Sequence, residues 1–234
     1  MNSTIVVKAK QVVIPGEVLA EGMDFLPGKG AFRENDVVLS SRVGLVSIQG
    51  RVIHIIPLSG AYKPRENDVV IGYIRDMSYS SWFVNIGCPY DGSISLKEGS
   101  SEFIERGANL SDYYAIGDIV LTKIINVTRE GNIDLSMKGP GLRKLRDGKV
   151  IDIPSSKIPR VVGKQGSMIS LIKEKTGCNV FAGQNGRAWI QGPNPAVELV
   201  ATKAVELIGE KSHISGLTEY VSSFLEKEMK EIKK

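Results

Sequence analysis

From Ile5 to Ile56 the chain is a series of short β-branched runs, each stopped by turn residues, and no other feature constrains its fold as strongly. Val12-Val13-Ile14 runs into Pro15-Gly16, and Glu17-Val18-Leu19-Ala20 runs into Glu21-Gly22. Val37-Val38-Leu39, Gly44 to Ile48 and Val52 to Ile56 follow. Turn signals every 8–12 residues or so give a compact all-β unit, and no helix is expected here. Such a unit is too small to bury much surface alone, so it should lean on a neighbour or a partner.

A repeat marks where strands begin. Arg33-Glu34-Asn35-Asp36-Val37-Val38 recurs as Arg65-Glu66-Asn67-Asp68-Val69-Val70, with a weaker echo at Gly117-Asp118-Ile119-Val120. Asn-Asp or Gly-Asp forms a turn, and the β-branched pair opens a strand. Shared strand-entry chemistry and true duplication both account for it. The stretch from Pro57 to Pro64 reads as a linker, so the N-terminal β domain spans 1–64.

The second unit, 65–147, holds five predicted strands: Ile71 to Asp76, Trp82 to Ile86, Gly92 to Leu96, Ile119 to Val127 and Asn132 to Met137. Glu130-Gly131-Asn132 is the hairpin turn between the last two. Five short strands with one longer connection, Lys97 to Tyr114, match an OB-type barrel. A Gly/Lys/Arg-rich joint, Lys138 to Lys149, follows, and the period then changes. Beyond it, 148–234 reads as α+β with a C-terminal helical tail. Lys149 to Ile153 is a predicted strand, and Ser167 to Thr176 a helix with Ser167 as N-cap and Gly177 as C-cap. Cys178 to Phe181 and Arg187 to Gln191 form a strand pair. Pro195 to Ile208 is a helix after Asn194, and Thr218 to Lys234 a final amphipathic one.

Composition removes several function classes. Among 234 residues there are two cysteines and two histidines, which excludes zinc sites built from clustered Cys and His. No metal or cofactor is expected. Cys88 and Cys178 fall in different predicted domains and read as buried free thiols. No apolar run approaches the roughly 20 residues of a membrane span. Met1 to Gln11 has no apolar signal core, so the chain is expected in the cytoplasm. The net charge of +4 permits nucleic-acid binding without establishing it.

The sharpest local signal is Ile158-Pro159-Arg160-Val161-Val162-Gly163-Lys164-Gln165-Gly166-Ser167. Gly163 and Gly166 flank two polar residues between two helical segments. Bare Cα positions let a sugar-phosphate backbone lie against the turn, with the amides at the start of the next helix facing it. Lys164 adds a charge that Arg160 and Lys157 extend. A Walker A reading fails, because the upstream glycine is missing and Gln165 stands where a hydroxyl residue is needed.

Val161-Val162-Gly163-Lys164-Gln165-Gly166, followed by Ile169 and Ile172, resembles a KH domain. Trp82-Phe83-Val84, Asp91-Gly92-Ser93-Ile94, Gly117 to Val120 and Ile133 to Lys138 resemble an S1 domain. An S1 then a KH, behind a β unit containing Val13-Ile14-Pro15-Gly16-Glu17, is similar to the S1–KH-type RNA-binding cap subunits of the archaeal exosome. Gly183-Gln184-Asn185-Gly186 before Arg187-Ala188-Trp189-Ile190 resembles the GxNG element of that family. The resemblance covers essentially the whole chain. It implies a multidomain fold, mainly β plus α+β, and a non-catalytic role. Such subunits sit with other cap subunits on a hexameric RNase-PH-type ring and feed the 3′ end of single-stranded RNA into its pore. The N-terminal domain would dock on the ring, the S1 domains line the pore, and the KH domains sit outward.

Carried over by residue, the resemblance puts a base-stacking aromatic at Phe83, since Trp82, Val84 and Ile86 should share the core face. Packing within the barrel accounts for Phe83 equally. Ser95 stands where S1 domains usually carry a histidine. Arg75, Lys123 and Arg187 are further candidates for RNA contact, beside Lys157, Arg160, Gly163, Lys164, Gln165 and Gly166. For Gly183 to Gly186 a plain hairpin stays open beside RNA or partner contact, since Asn-Gly signals a type I′ turn by itself.

No carboxylate pair comes with a phosphate loop or a histidine ligand set. A Cys–His nucleophile would have to pair Cys88 or Cys178 with His54 or His213, and of these only Cys178 and His213 share a predicted domain. The expected function is therefore an RNA-binding exosome subunit. A free S1–KH protein of translation or ribosome biogenesis is the alternative. The tail of a polynucleotide phosphorylase is disfavoured, because that family carries KH before S1 and needs two large phosphorolytic domains.

Overall fold

The computed structural model describes residues 3–105, 107–212, 214 and 216–232. His213, one of the two histidines, lies outside them. The chain divides into two compact units, the first ending at Gly60 and the second beginning at Ala61.

The first unit is built from β1 (Thr4–Ile5), β2 (Val12–Val13), β3 (Val18–Glu21), β4 (Leu26–Pro27), β5 (Ala31–Glu34), β6 (Val37–Ser40), β7 (Gly44–Gln49) and β8 (Val52–Pro57). They form two four-stranded sheets, ordered β1-β3-β6-β5 and β2-β7-β8-β4. Val13, Leu19, Val38, Val46, Ile53 and Ile55 meet between them as a small core. The guanidinium of Arg33 donates to the Gly22 and Phe25 carbonyls, tying down the β3–β4 connection. Val6, Val12, Ile14, Met23, Leu26 and Ile56 are each more than half exposed.

The second unit opens with β9 (Val69–Met77), β10 (Ser81–Asn85), β11 (Gly92–Ser95), the short helix α1 (Leu96–Gly99), β12 (Ile119–Val127), β13 (Ile133–Ser136) and β14 (Arg143–Leu145). The sheet order is β13-β11-β10-β9-β12-β14, and a β12–β13 pairing closes the barrel. Val70, Ile74, Trp82, Val84, Ile86, Ile94, Val120, Ile124, Ile133 and Leu135 fill it. Leu96, Ile104, Ala108, Leu110 and Tyr114 from the long connection pack against this core. There the Trp82 indole N–H donates to the Leu110 carbonyl (3.2 Å), and its ring meets Tyr114 edge-on at 5.2 Å. This is the five-stranded S1-like barrel that the strand pattern predicts. β14 is an addition: three residues inside the predicted joint pair with β12, Arg143 opposite Leu121 and Leu145 opposite Ile119.

The repeat has a structural explanation. Asn35 (φ 51°) and Asn67 (φ 71°) both take the left-handed conformation, as does Gly117 (φ 91°), each two residues ahead of a strand. Asparagine is among the few side-chain-bearing residues that adopt this conformation readily.

The remainder comprises β15 (Lys149–Asp152), α2 (Ile158–Val162), α3 (Ser167–Thr176), β16 (Asn179–Ala182), β17 (Arg187–Gln191), α4 (Pro195–Glu210) and α5 (Leu217–Ile232). The antiparallel sheet β15-β17-β16 carries the helices on one face. Gly177 caps α3 at φ 73°, and the Asn194 side chain accepts from the Val197 amide at the start of α4. Ser167 is not the N-cap expected of it. Gly166 holds that position and Ser167 begins the helix, because the left-handed Gly166 (φ 82°) makes the entry. Leu217, Val221 and Leu225 form the buried stripe that seats α5 on α3 and α4.

Strand β17 is buried on both sides. Ala188 and Ile190 face the helices, while Trp189 points the other way against Ile71, Leu121 and Leu145 of the barrel. The barrel and the α+β domain are thereby one body, and the turn from Gly183 to Gly186 fastens them. The Asn185 side chain accepts from the Ile71 amide (3.2 Å) and donates to the Ile71 and Ile86 carbonyls (2.7 and 2.9 Å). Gln184 pairs with Val69 through its own amide (2.9 Å) and its side-chain oxygen (2.6 Å). A Cβ at Gly183 would stand 2.8 Å from the Ile71 nitrogen, so the close approach requires glycine. Of the predicted Asn-Gly turn only Gly186 (φ 91°) has positive φ; Asn185 does not, so the turn is not type I′.

Arg187, one of the candidates for RNA contact, lies at this junction. Its guanidinium donates to the Asn85 carbonyl (2.6 Å) and side chain (2.7 Å) and to the Ile71 carbonyl (3.3 Å), and lies over the Tyr73 ring at 4.9 Å. Three of its five N–H groups are engaged by the barrel, and its Nε faces Asp152 at 3.6 Å. Replacing Asn185 strands the Ile71 amide and the Ile86 carbonyl in a buried seam and leaves the Ile71 carbonyl only its bond from Arg187. Asn185→Ala should therefore cost about 2–4 kcal/mol of the second unit's stability in urea unfolding. A loss below about 1 kcal/mol would mean that the seam does not depend on this side chain.

Candidate nucleic-acid interface

Helix α2 stops at Val162 because the next residue cannot continue it. Gly163 adopts φ 76° and ψ 177°, a region open essentially to glycine alone. A Cβ there would lie 2.7 Å from the Met168 amide nitrogen and 2.8 Å from the Ser167 hydroxyl. Gln165 (φ 52°) and Gly166 (φ 82°) complete the reversal into α3. Buried Val161 and Met168 pin the two sides of the turn to the core, while Lys164 and Gln165 project into solvent. The turn is therefore rigid at its base and open at its tip.

Three cations flank it: Lys164 at the tip, exposed Arg160 on α2, and half-buried Lys157 ahead of it. Among the described residues none of the three has a carboxylate within ion-pair distance. Strand β16, at the edge of its sheet, packs against both α2 and α3. Among the described residues its outer edge has no strand partner, and that edge borders the helices. The result is a groove with a positive, glycine-floored rim on one side and a peptide edge on the other. The predicted residues Lys157, Arg160, Gly163, Lys164, Gln165 and Gly166 are brought together here.

The barrel residues are not gathered in that way. Phe83 is half-exposed on the face opposite Trp82 and Val84, as the alternation predicts. Its register partners are Asp76 and Ser93. Arg75 is exposed but paired with Asp91 at 2.9 Å, and Asp134 accepts from Asn126 nearby. Carboxylates therefore temper the field around Phe83. Lys123 sits opposite Val69, at the other end of β9 from Asp76. Seven residues at about 3.3 Å each separate it from Phe83 by roughly 20 Å.

Tyr79, fully exposed in the loop between β9 and β10, was not among the expected residues. Strand alternation carries no information about loop tips. The only sequence signal is an aromatic residue set among Ser78, Ser80 and Ser81. An aromatic side chain with no packing of its own is a stacking platform in single-strand binders.

Little else here is equipped for chemistry. Burial pushes both the Cys88 and the Cys178 thiols up from their ordinary values, away from the reactive thiolate. Among the described residues no group of three or more His, Cys, Asp or Glu side chains is placed to hold a metal ion. None of the described helices is long and apolar enough to cross a membrane.

Comparison with known proteins joins these domains into one description. Residues 148–212 match the KH domain family, and residues 12–49 match the family described as the exosome complex exonuclease RRP4 N-terminal region. The exosome complex component Rrp4 of Methanothermobacter thermautotrophicus is 41% identical over 223 residues, covering 95% of this chain and 70% of that protein. Its counterpart in Thermococcus kodakarensis is 40% identical over 232 residues, covering 98% of this chain and 90% of that protein. A crystal structure described as that of an exosome complex RNA-binding protein aligns with a TM-score of 0.67 at 31% identity, over 75% of this chain and all of the other. The order of a β unit, an S1-like barrel and a KH domain, matched end to end at this identity, makes the chain a member of the archaeal Rrp4 family of exosome components.

Proposed function

We propose that this chain is an RNA-binding cap subunit of the exosome, holding single-stranded RNA and guiding its 3′ end into a hexameric phosphorolytic ring for 3′-to-5′ degradation. The observation that carries this reading is the open turn from Gly163 to Gly166, flanked by cations without carboxylate partners. Bare glycines admit the sugar-phosphate backbone, and Lys157, Arg160 and Lys164 attract it. Backbone contacts of this kind position a strand without reading its sequence, so selectivity is low. In this reading the role is non-catalytic: the groove holds a strand, and the bond-breaking belongs to the ring. Family membership supports the ring and the other cap subunits as partners, and a cytoplasmic location goes with them.

The N-terminal unit supplies the docking function in this division of labour. Val6, Val12, Ile14, Met23, Leu26 and Ile56 give it the exposed apolar surface that a permanent partner would cover. A free translation factor has no need of such a surface, which favours the exosome reading over the alternative.

Lys164→Asp combined with Gln165→Asp should weaken binding to a single-stranded oligonucleotide by about tenfold or more, since repulsion replaces one phosphate contact. The melting temperature should hold, because both side chains are in solvent. Unchanged affinity in a filter-binding assay would refute the assignment of the groove. Deleting residues 1–60 leaves Tyr62 in place, its hydroxyl bonded to Asp68 at 2.6 Å. The truncated chain should bind RNA but no longer co-purify with the ring; retained ring association would overturn the docking assignment.

A further inference from the structure

Arg143 is a cation that the groove does not use. It lies on β14, the strand hidden in the Gly/Lys/Arg-rich joint, and its side chain is in solvent. Its guanidinium carbon stands 4.9 Å from the centroid of the Phe181 ring. Phe181 in turn lies 5.7 Å from Trp189, tilted by 38°. Trp189 is 2% exposed, packs on Ile71, Leu121 and Leu145, and donates its indole N–H to the Asp147 carbonyl at 2.8 Å. A column of three stacked side chains thus rises from the buried floor of the seam to its surface, with a positive charge on top.

The charge is unspent. Arg75 is paired with Asp91, Lys144 with Asp118 and Arg187 with Asp152. Among the described residues Arg143 has no carboxylate in ion-pair range, and its guanidinium lies over the Phe181 ring. Stacking uses the flat face of a guanidinium and leaves its N–H edge free for a phosphate. Lys123 belongs to the same surface. It lies two residues from Leu121, the register partner of Arg143, so the two cations project from one face with Cβ atoms roughly 7 Å apart.

Position makes this more than an isolated surface charge. Phe181 is part of β16, the strand whose free edge borders the groove. A strand of RNA leaving the groove over β16 meets Arg143 and then Lys123 as it passes onto the barrel. We propose that Arg143 and Lys123 form a second phosphate-binding site on the S1–KH seam, which extends the KH groove and holds single-stranded RNA too long for the groove alone. The proposal rests on the RNA-binding reading above and adds a contact to it. The site is pre-organised, because the column under Arg143 is locked by Trp189 and the seam by Asn185, so little side-chain entropy is lost on binding.

The test compares two RNA lengths on the full chain: an oligoadenylate of about four nucleotides, the reach of one KH groove, and one of about fifteen. Arg143→Gln combined with Lys123→Gln should bind the short RNA like the unaltered protein and the long RNA about tenfold more weakly. Lys164→Asp with Gln165→Asp should weaken both. Equal affinity of the Arg143/Lys123 variant for the long RNA would overturn the seam site and leave the groove standing. Equal loss on both lengths would also overturn it, marking a general effect of charge or folding, which a melting curve identifies. Loss of ring association with RNA binding intact would assign the two cations to a protein partner. Failure of the unaltered chain to bind either RNA would remove the RNA-binding reading itself.

Discussion

One asparagine side chain holds two domains in register. Asn185 satisfies an amide and two carbonyls of the barrel from a turn 99 to 114 residues away in the chain. Backbone groups at that seam would otherwise be buried without partners, at a cost comparable to a lost hydrogen bond for each. Gly183 permits the approach, Gln184 brackets Val69, and Arg187 ties down Asn85. Apolar packing of Trp189 on Ile71, Leu121 and Leu145 supplies the area, and the polar set fixes the geometry. Two small modules that a flexible joint would leave independent thereby become one surface.

The functional account follows from that rigidity. As the proposed RNA site, the glycine turn with Lys157, Arg160 and Lys164 would be weak by itself, since one KH groove reaches only about four nucleotides. Phe83 and Tyr79 on the barrel are separate platforms in a field moderated by Asp76 and Asp91. Holding these parts at fixed spacing raises the effective concentration of each for a strand already bound to another. A cap that must retain RNA without reading its sequence gains more from such linkage than from any single strong contact.

Much of this was legible in the chain. The Asn35 and Asn67 turns announced strand starts, because left-handed backbone is a local property of the residue that adopts it. Alternation separated Phe83 from Trp82 and Val84 for the same local reason, and Asn194 capped α4 as its side-chain chemistry requires. The glycine turn was equally visible: its function depends on what Gly163 and Gly166 lack. What stayed hidden was long-range. Arg187 looked like any basic residue beside a turn, and only its partners at Asn85 and Ile71, 102 and 116 residues away, give it a structural role. β14 has no β-branched residue and exists because the β12 edge was free to pair with it. Tyr79 sits where no periodicity applies.

Native-state amide hydrogen exchange at Val69 and Ile71 tests the central claim most directly, since both N–H groups donate across the seam to Gln184 and Asn185. If the two domains are one cooperative body, these amides exchange only with the global unfolding that also releases the barrel and KH cores. Exchange through a cheaper, local opening, with both cores still protected, would mean that the domains separate freely and that the continuous RNA surface described here does not exist.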